Sequence, residues 1–208
     1  MKRLKLLPAI LGLAITVISS AVFATGLVPE APPDAMKLTA EDYTEIHQLV
    51  VRYSWILDHC TNDGYDYADL YVDDGQFSTA NAWGTTSNKQ RPYVAKGREA
   101  LAKAAGGSGP GGKCVNPKDY LGYGITHILA NHMIVPTKDG AVGKVRLIAV
   151  GVCGYPHLME LQGGYEDVYV KTKHGWRFKS RVHVLNEKGS LQFGVCMNKG
   201  PIPILNGD

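Results

Sequence analysis

Two side chains in this sequence, Asp58 and His127, have the types and surroundings needed to move a proton. Asp58 is predicted near the C-terminal end of an amphipathic helix, where the helix dipole disfavours a negative charge. His127 is predicted on a strand with polar and apolar neighbours on one face. A carboxylate that orients an imidazole lets it act as a general base and then as a general acid. We therefore predict an Asp58–His127 dyad; the alternatives are a solvated helix-end aspartate and a hydrogen-bonded core histidine.

The helix that would carry Asp58 has the clearest pattern in the chain. Apolar residues recur at three- and four-residue steps between residues 39 and 60, which places them on one helical face. These residues are Tyr43, Ile46, Val50, Tyr53, Leu57 and Cys60. Thr39 and Asp42 have the spacing of a capping box at its start. So broad an apolar face predicts that the helix packs against a sheet.

Strand patterns dominate the second half of the chain. We predict strands at 125–136, 141–153, 163–172 and 176–185, after a first strand that begins near Phe77. Simple alternation would put His127 and Asn131 on one face of their strand, and His132 on the other face, at the surface or in an oligomer contact. Helices followed by antiparallel strands predict an α+β domain whose sheet wraps over the helices.

The ends of the chain differ from this predicted domain. Residues 1–24 contain a short basic segment, an apolar run and small residues at the end, which predicts a signal peptide and a periplasmic or secreted protein; the alternative is an uncleaved membrane anchor. We predict an extended leader at 25–37, a domain at 38–185 with a glycine-rich insertion at 105–123 that acts as a lid, and an irregular tail at 186–208.

Charge and cysteine spacing exclude several function classes. The chain has 22 basic and 19 acidic residues, and removing the signal segment with its three basic residues would leave a neutral protein, so no nucleic-acid partner is expected. Four cysteines, Cys60, Cys114, Cys153 and Cys196, allow three full disulfide pairings, and partly free thiols are the alternative. Because no pair has the CxxC spacing, zinc and thioredoxin-like chemistry have little support, and we predict no metal site.

The order of several motifs resembles the SnoaL-like branch of the NTF2-like superfamily. The motifs are RYSWILD, LYVDDGQF, GREAL, THILANHMI and GGYEDVYVKTKHGWRFKSRV, and the resemblance spans residues 38–185. Relatives include scytalone dehydratase, polyketide cyclases, ketosteroid isomerase, limonene epoxide hydrolase and lignin-dimer lyases that release formaldehyde. The resemblance implies an α+β cone with a strongly bent sheet around an apolar pocket, and a homodimer or homotrimer.

The resemblance also implies site residues and a reaction class. It places an acid at Asp58 and a catalytic histidine at His127, and it favours pairing roles between strands for Asp167, Arg181 and His183. The predicted substrate-binding residues are Tyr53, Trp83, Arg91, Tyr93, Tyr123 and Asn131. The implied activity is a cofactor-independent lyase acting on a hydroxylated aromatic small molecule, by dehydration or retro-aldol cleavage. The alternatives are an isomerase, cyclase or epoxide hydrolase, and a non-catalytic periplasmic binding domain.

Overall fold

A computed structural model describes residues 29–80, 83, 94–106, 125–151 and 159–185. The predicted signal segment 1–24, the tail 186–208 and most of the predicted insertion 105–123 lie outside the described residues. The described part is an α+β fold in which helices pack on a curled, mostly antiparallel sheet of six strands. The predicted fold class is confirmed.

The sheet has the strand order β2-β1-β6-β5-β4-β3. The elements are α1 (Ala40–His59), a 3-10 turn (Thr61–Gly64), α2 (Tyr65–Ala68), β1 (Tyr71–Ala80), β2 (Val94–Lys96), α3 (Arg98–Ala104), β3 (Ile125–Pro136), β4 (Ala141–Gly151), β5 (Met159–Thr172) and β6 (Gly175–Leu185). Neighbouring strands are antiparallel except β1 and β6, which are parallel. β1 begins at Tyr71, earlier than the predicted start at Phe77, because Tyr71 already pairs with Phe178 of β6.

The start of α1 is fixed by Asp42. Its carboxylate accepts hydrogen bonds from the Thr39 backbone N–H at 2.9 Å, while the Thr39 hydroxyl accepts from the Asp42 N–H, so the predicted capping box is confirmed. The other carboxylate oxygen accepts from Lys171 Nζ at 2.6 Å and from Trp176 Nε1 at 2.9 Å. The same aspartate therefore caps the helix and attaches it to β5 and β6.

The end of α1 is a run of left-handed backbone. Cys60, Asn62 and Asp63 have φ values of 45°, 49° and 51°, and Gly64 follows at 81°. A Cβ at Gly64 would lie 2.2 Å from the carbonyl oxygen of Ala102 in α3, so only glycine fits there. Cys60 is disulfide-bonded, and the other three cysteines lie outside the described residues. Asp58 is thus followed at once by a sharply turned and cross-linked segment.

A β-bulge in β3 changes which side chains face the helix. Ala130 pairs with Arg146 and Met133 pairs with Lys144, so Asn131 and His132 together oppose Val145. Asn131 takes the left-handed conformation, with φ at 53°, which asparagine tolerates better than most residues. Its side chain is exposed, and His132 turns inward instead. The prediction that Asn131 shares a face with His127 is therefore wrong, as is the surface placement of His132.

The two faces of the sheet carry different clusters. The concave face packs against α1, where Ile46, Leu49 and Leu57 are fully buried, and this cluster is the main core. The convex face carries a small cluster of Ala80, Val182 and Val184. The side chains that could do chemistry are on the concave face, between α1 and the sheet.

Candidate active site

Asp58 and His127 form a close pair between the end of α1 and the start of β3. Asp58 Oδ1 lies 2.5 Å from His127 Nδ1, and the His127 backbone N–H donates to Asp58 Oδ2 at 3.0 Å. The two side chains are only 13% and 4% exposed, respectively. The two predicted dyad residues are therefore in contact, and His127 engages both oxygens of the carboxylate.

The contact with Asp58 also assigns the protons of the imidazole. A carboxylate accepts hydrogen bonds, so His127 Nδ1 must carry the hydrogen that it shares with Asp58. In the neutral ring, Nε2 then has the free lone pair, on the side of the ring away from Asp58. This arrangement is that of a general base whose protonated form is stabilised by an adjacent negative charge.

A cluster of aromatic rings lies beside the dyad and reaches it through Tyr53. The Tyr53 ring lies 6.3 Å from the His127 ring at 86°, and 5.3 Å from the Tyr165 ring. The Tyr53 hydroxyl donates to the Tyr165 hydroxyl at 3.3 Å. Burial, partly offset by the charge of Arg181, raises the pKa of Tyr53 to about 12, so this hydroxyl stays protonated at neutral pH. Tyr53, a predicted substrate-binding residue, lies beside the dyad.

A buried ion pair lies next to these rings. Arg181 Nε and Nη2 each donate to Asp167 at 2.8 Å, and both side chains have no exposed surface. The guanidinium also makes cation–π contacts with three rings. Its central carbon lies 3.9 Å from the centroid of Tyr53 and 4.3 Å from those of Tyr165 and Phe178. Asp167 and Arg181 are direct partners across β5 and β6, the strand-pairing role that the motifs predicted.

A hydrogen-bonded chain leads from this ion pair to the surface. The Tyr169 hydroxyl donates to Asp167 at 2.7 Å, so its oxygen is left to accept from His132 Nε2 at 3.0 Å. His132 Nδ1 then lies 3.3 Å from Nδ1 of the exposed His47. Burial lowers the pKa of His132 to about 4, so it is neutral at neutral pH. Sequence reasoning missed this network because the bulge that turns His132 inward has no clear sequence signal.

His183 is a third histidine on the concave face, after His127 and His132. Its ring lies 5.1 Å from the Tyr165 ring, and the side chain is buried. Burial, with the nearby His127 and Arg181, lowers the pKa of His183 to about 3. Its position two residues after Arg181 on β6 was a usable signal, because alternate strand residues share a face.

The other predicted substrate-binding residues do not join this group. Trp83 lies on the convex face, where a Cβ at Gly164 would come within 2.5 Å of its ring, and Lys144 and Arg146 lie over that ring at 5.6 and 5.4 Å. Contrary to the prediction, Trp83 does not share a face with the dyad, since the neighbouring Tyr165 points the opposite way. Arg91, Tyr93 and Tyr123 lie outside the described residues.

Among the described residues, no three His, Cys, Asp or Glu side chains are placed to hold one metal ion. None of the helices in the same ranges combines the length and apolar character needed to cross a membrane.

The two buried neutral histidines predict acid sensitivity. The pKa values of His183 and His132, about 3 and about 4, lie below the ordinary 6.5. Below about pH 6.5 these two histidines therefore bind protons in the unfolded chain but not in the folded protein. Each histidine should lower the free energy of unfolding by up to about 1.4 kcal/mol per pH unit as the pH falls toward these values.

Urea unfolding at a series of pH values between about 6.5 and 4.5 measures this slope. His132→Gln should reduce the slope, whereas replacing the exposed His174 by glutamine should leave it unchanged. A wild-type stability that is constant over this range would contradict the prediction.

Comparison with known proteins agrees with this architecture. Residues 38–182 match the SnoaL-like domain family. No curated protein matches the chain. An NTF2-like protein with a cystatin-like fold from Novosphingobium aromaticivorans is 22% identical, with a TM-score of 0.56 over 74% of this chain and 90% of that chain. A Nostoc punctiforme protein of unknown function with a cystatin-like fold is 23% identical, with a TM-score of 0.54 over 73% and 96%.

These structural likenesses extend to a Mycobacterium tuberculosis protein of unknown function, 18% identical, with a TM-score of 0.53 over 70% of this chain and 72% of that chain. At such identities the likeness establishes the fold alone. The family match, which spans most of the chain, identifies a fold of small-molecule enzymes and binding proteins. On this evidence the chain belongs to the SnoaL-like family and has the NTF2-like fold.

Proposed function

We propose that this protein is an acid–base lyase for a hydroxylated aromatic small molecule, with His127 as the proton-transfer group and Asp58 as its charged partner. The observation that carries the proposal is the 2.5 Å contact between Asp58 Oδ1 and His127 Nδ1 on the concave face. Such a contact leaves His127 Nε2 as a base directed away from the carboxylate. Asp58 stabilises the imidazolium that forms when that base takes a proton.

The surroundings of the dyad favour an aromatic substrate. The Tyr165 and Phe178 rings pack edge-on against Tyr53, which lies beside His127, and the Tyr53 hydroxyl donates a hydrogen bond to the Tyr165 hydroxyl. Apolar rings with a few fixed polar groups suit a flat, apolar molecule that carries hydroxyls.

One reaction open to the dyad is dehydration. His127 Nε2 takes a proton from a carbon next to a carbonyl or an aryl ring, and the electron pair forms a double bond. The neighbouring C–O bond breaks, and the leaving hydroxide takes up the proton from the imidazolium. Water is the only by-product, and His127 returns to its neutral form.

The other reaction is retro-aldol cleavage with the same base. His127 Nε2 takes the proton of a hydroxyl group, whose oxygen becomes a carbonyl as the adjacent C–C bond breaks. The electron pair of that bond passes to the remaining carbon, which is then protonated by the imidazolium. If the hydroxyl is primary, the released product is formaldehyde, as expected from a diarylpropane diol.

The test is to incubate the mature protein with diarylpropane diols and polyketide-like phenols and to follow product masses. Loss of water or of formaldehyde that disappears in Asp58→Asn and His127→Ala supports the lyase, and adding a chelator should not change it. A new product of unchanged mass would instead indicate an isomerase. Saturable binding without any product would make the protein a binding domain and contradict the lyase proposal.

A further inference from the structure

Two buried polar atoms on the concave face have no hydrogen-bond partner among the described residues. They are Nε2 of His183 and Nη1 of Arg181, two residues apart on the same face of β6. Unpaired polar atoms are rare in protein interiors, because losing hydration without a new partner costs free energy. Both atoms are close to the aromatic cluster beside the dyad, so a ligand bound there could complete their hydrogen bonds.

The local sequence leaves His183 Nε2 buried but without a covering side chain on the neighbouring strand. Gly163 lies on the neighbouring strand β5, and a Cβ built on it would come within 3.7 Å of this nitrogen. A larger side chain there would cover the imidazole. Ala149, which is small and fully buried, lies on the concave face of β4. This strand runs between β3, which carries His127, and β5, which carries Gly163. Ala149 and Gly163 are therefore small residues on this face, next to the larger Leu147 and Tyr165.

The charge of His183 limits what it can do. Burial, the nearby His127 and the Arg181 cation hold its pKa near 3, so the ring is neutral at neutral pH. A neutral imidazole with so low a proton affinity is a poor base. It can still donate an N–H hydrogen bond to an oxygen that gains negative charge, and it does so without bringing a second cation beside Arg181.

We propose that His183 contacts the substrate and donates a hydrogen bond from Nε2 to the oxygen on which negative charge develops when His127 removes a proton. The proposal rests on the function proposed above and deepens it, because it assigns a substrate class. The substrate carries an aryl ketone oxygen conjugated with the reacting carbon, so that the charge develops there as an enolate, which a phenolate resembles. The cationic Arg181 behind the imidazole favours the same charge.

Binding of small phenols tests this contact without turnover. The probes are para-nitrophenol, the less acidic para-cresol, and para-nitrotoluene, in which a methyl group replaces the hydroxyl. Calorimetric titration of the mature protein should show tighter binding of para-nitrophenol than of the other two. His183→Phe should weaken para-nitrophenol binding by roughly ten- to a hundred-fold, the range of a hydrogen bond to a charged group, and should leave para-nitrotoluene almost unaffected.

Three variants make the outcome interpretable. His183→Gln keeps an N–H donor and should retain part of the preference for the acidic phenol, and it serves if His183→Phe does not fold. His174→Phe, at an exposed position, should behave as wild type. His127→Ala should keep the preference, because the proposal assigns it to the other histidine.

The results separate this proposal from the lyase proposal. Equal weakening of para-nitrophenol and para-nitrotoluene in His183→Phe would assign His183 to packing. An unchanged affinity for both would mean that the phenol does not contact Nε2, which would overturn the proposal. Failure of the wild type to bind any phenol would also overturn the proposal. If phenols bind through His183 but no diol is turned over, the lyase proposal fails and the contact stands.

Discussion

Replacing His127 by alanine should lower kcat by roughly a hundred- to ten-thousand-fold, the usual contribution of a positioned acid–base group. The variant keeps the aromatic surroundings but has no nitrogen to take the proton, so KM should change much less than kcat. The measurement is steady-state turnover of whichever diol or phenol the wild type converts. Circular dichroism and thermal unfolding should show that the variant is folded.

Replacing Asp58 tests the other member of the dyad with a smaller change of the side chain. Asp58→Asn keeps the size of the side chain and can still accept from the His127 backbone N–H, but it removes the charge that stabilises the imidazolium. It should lower kcat more than substrate affinity. His174→Ala, in an exposed turn, should have wild-type kinetics. Full activity in both dyad variants would place the chemistry elsewhere on the fold.

Replacing Asp167 by alanine should destabilise the protein by about 3–5 kcal/mol, because it leaves the guanidinium of Arg181 buried without its counter-charge. Both side chains have no exposed surface and share two hydrogen bonds of 2.8 Å. The variant also removes the acceptor of the Tyr169 hydroxyl. Urea unfolding of wild type and variant measures the difference, with the midpoint and the slope fitted separately.

An exposed pair of the same residue types provides the control. Arg98 and Asp69 are about half exposed and also share two hydrogen bonds. Asp69→Ala should cost no more than about 1 kcal/mol, since solvent screens exposed ion pairs. The double variant Asp167→Leu with Arg181→Met should recover much of the loss, because no unpaired charge remains. A loss of less than about 1 kcal/mol in Asp167→Ala would contradict the prediction.

Sequence patterns predicted the main elements because periodicity reports burial directly. The apolar face of α1 and its capping box are present, and β3 has the predicted bounds, 125–136. The pairing of Asp58 with His127 was also predictable. That prediction rested on the resemblance of the surrounding motifs to the SnoaL-like family, together with the position of Asp58 at a helix end and of His127 on a strand.

What could not be predicted depends on contacts between distant segments. Asn131 and His132 exchange faces because β3 carries an extra residue, and a bulge leaves almost no trace in a single sequence. Trp83 lies three positions after the last residue of β1 in the sequence, and its ring lies over the convex face because Gly164 leaves space there. The complete burial of Arg181 and Asp167 was not predicted for another reason, because charged residues are normally at the surface.

The parallel pairing of β1 with β6 determines when during folding the site can form. Within the described residues, β6 joins two parts of the sheet, β2-β1 on one side and the β5-β4-β3 meander on the other. Its partners in β1 lie about a hundred residues earlier in the chain, so the sheet closes only through contacts of high sequence separation, which form slowly. A chain that ends before Gly175 would contain Asp58 and His127 but two unconnected half-sheets. The concave face around the dyad is therefore completed by the last described strand to be synthesised.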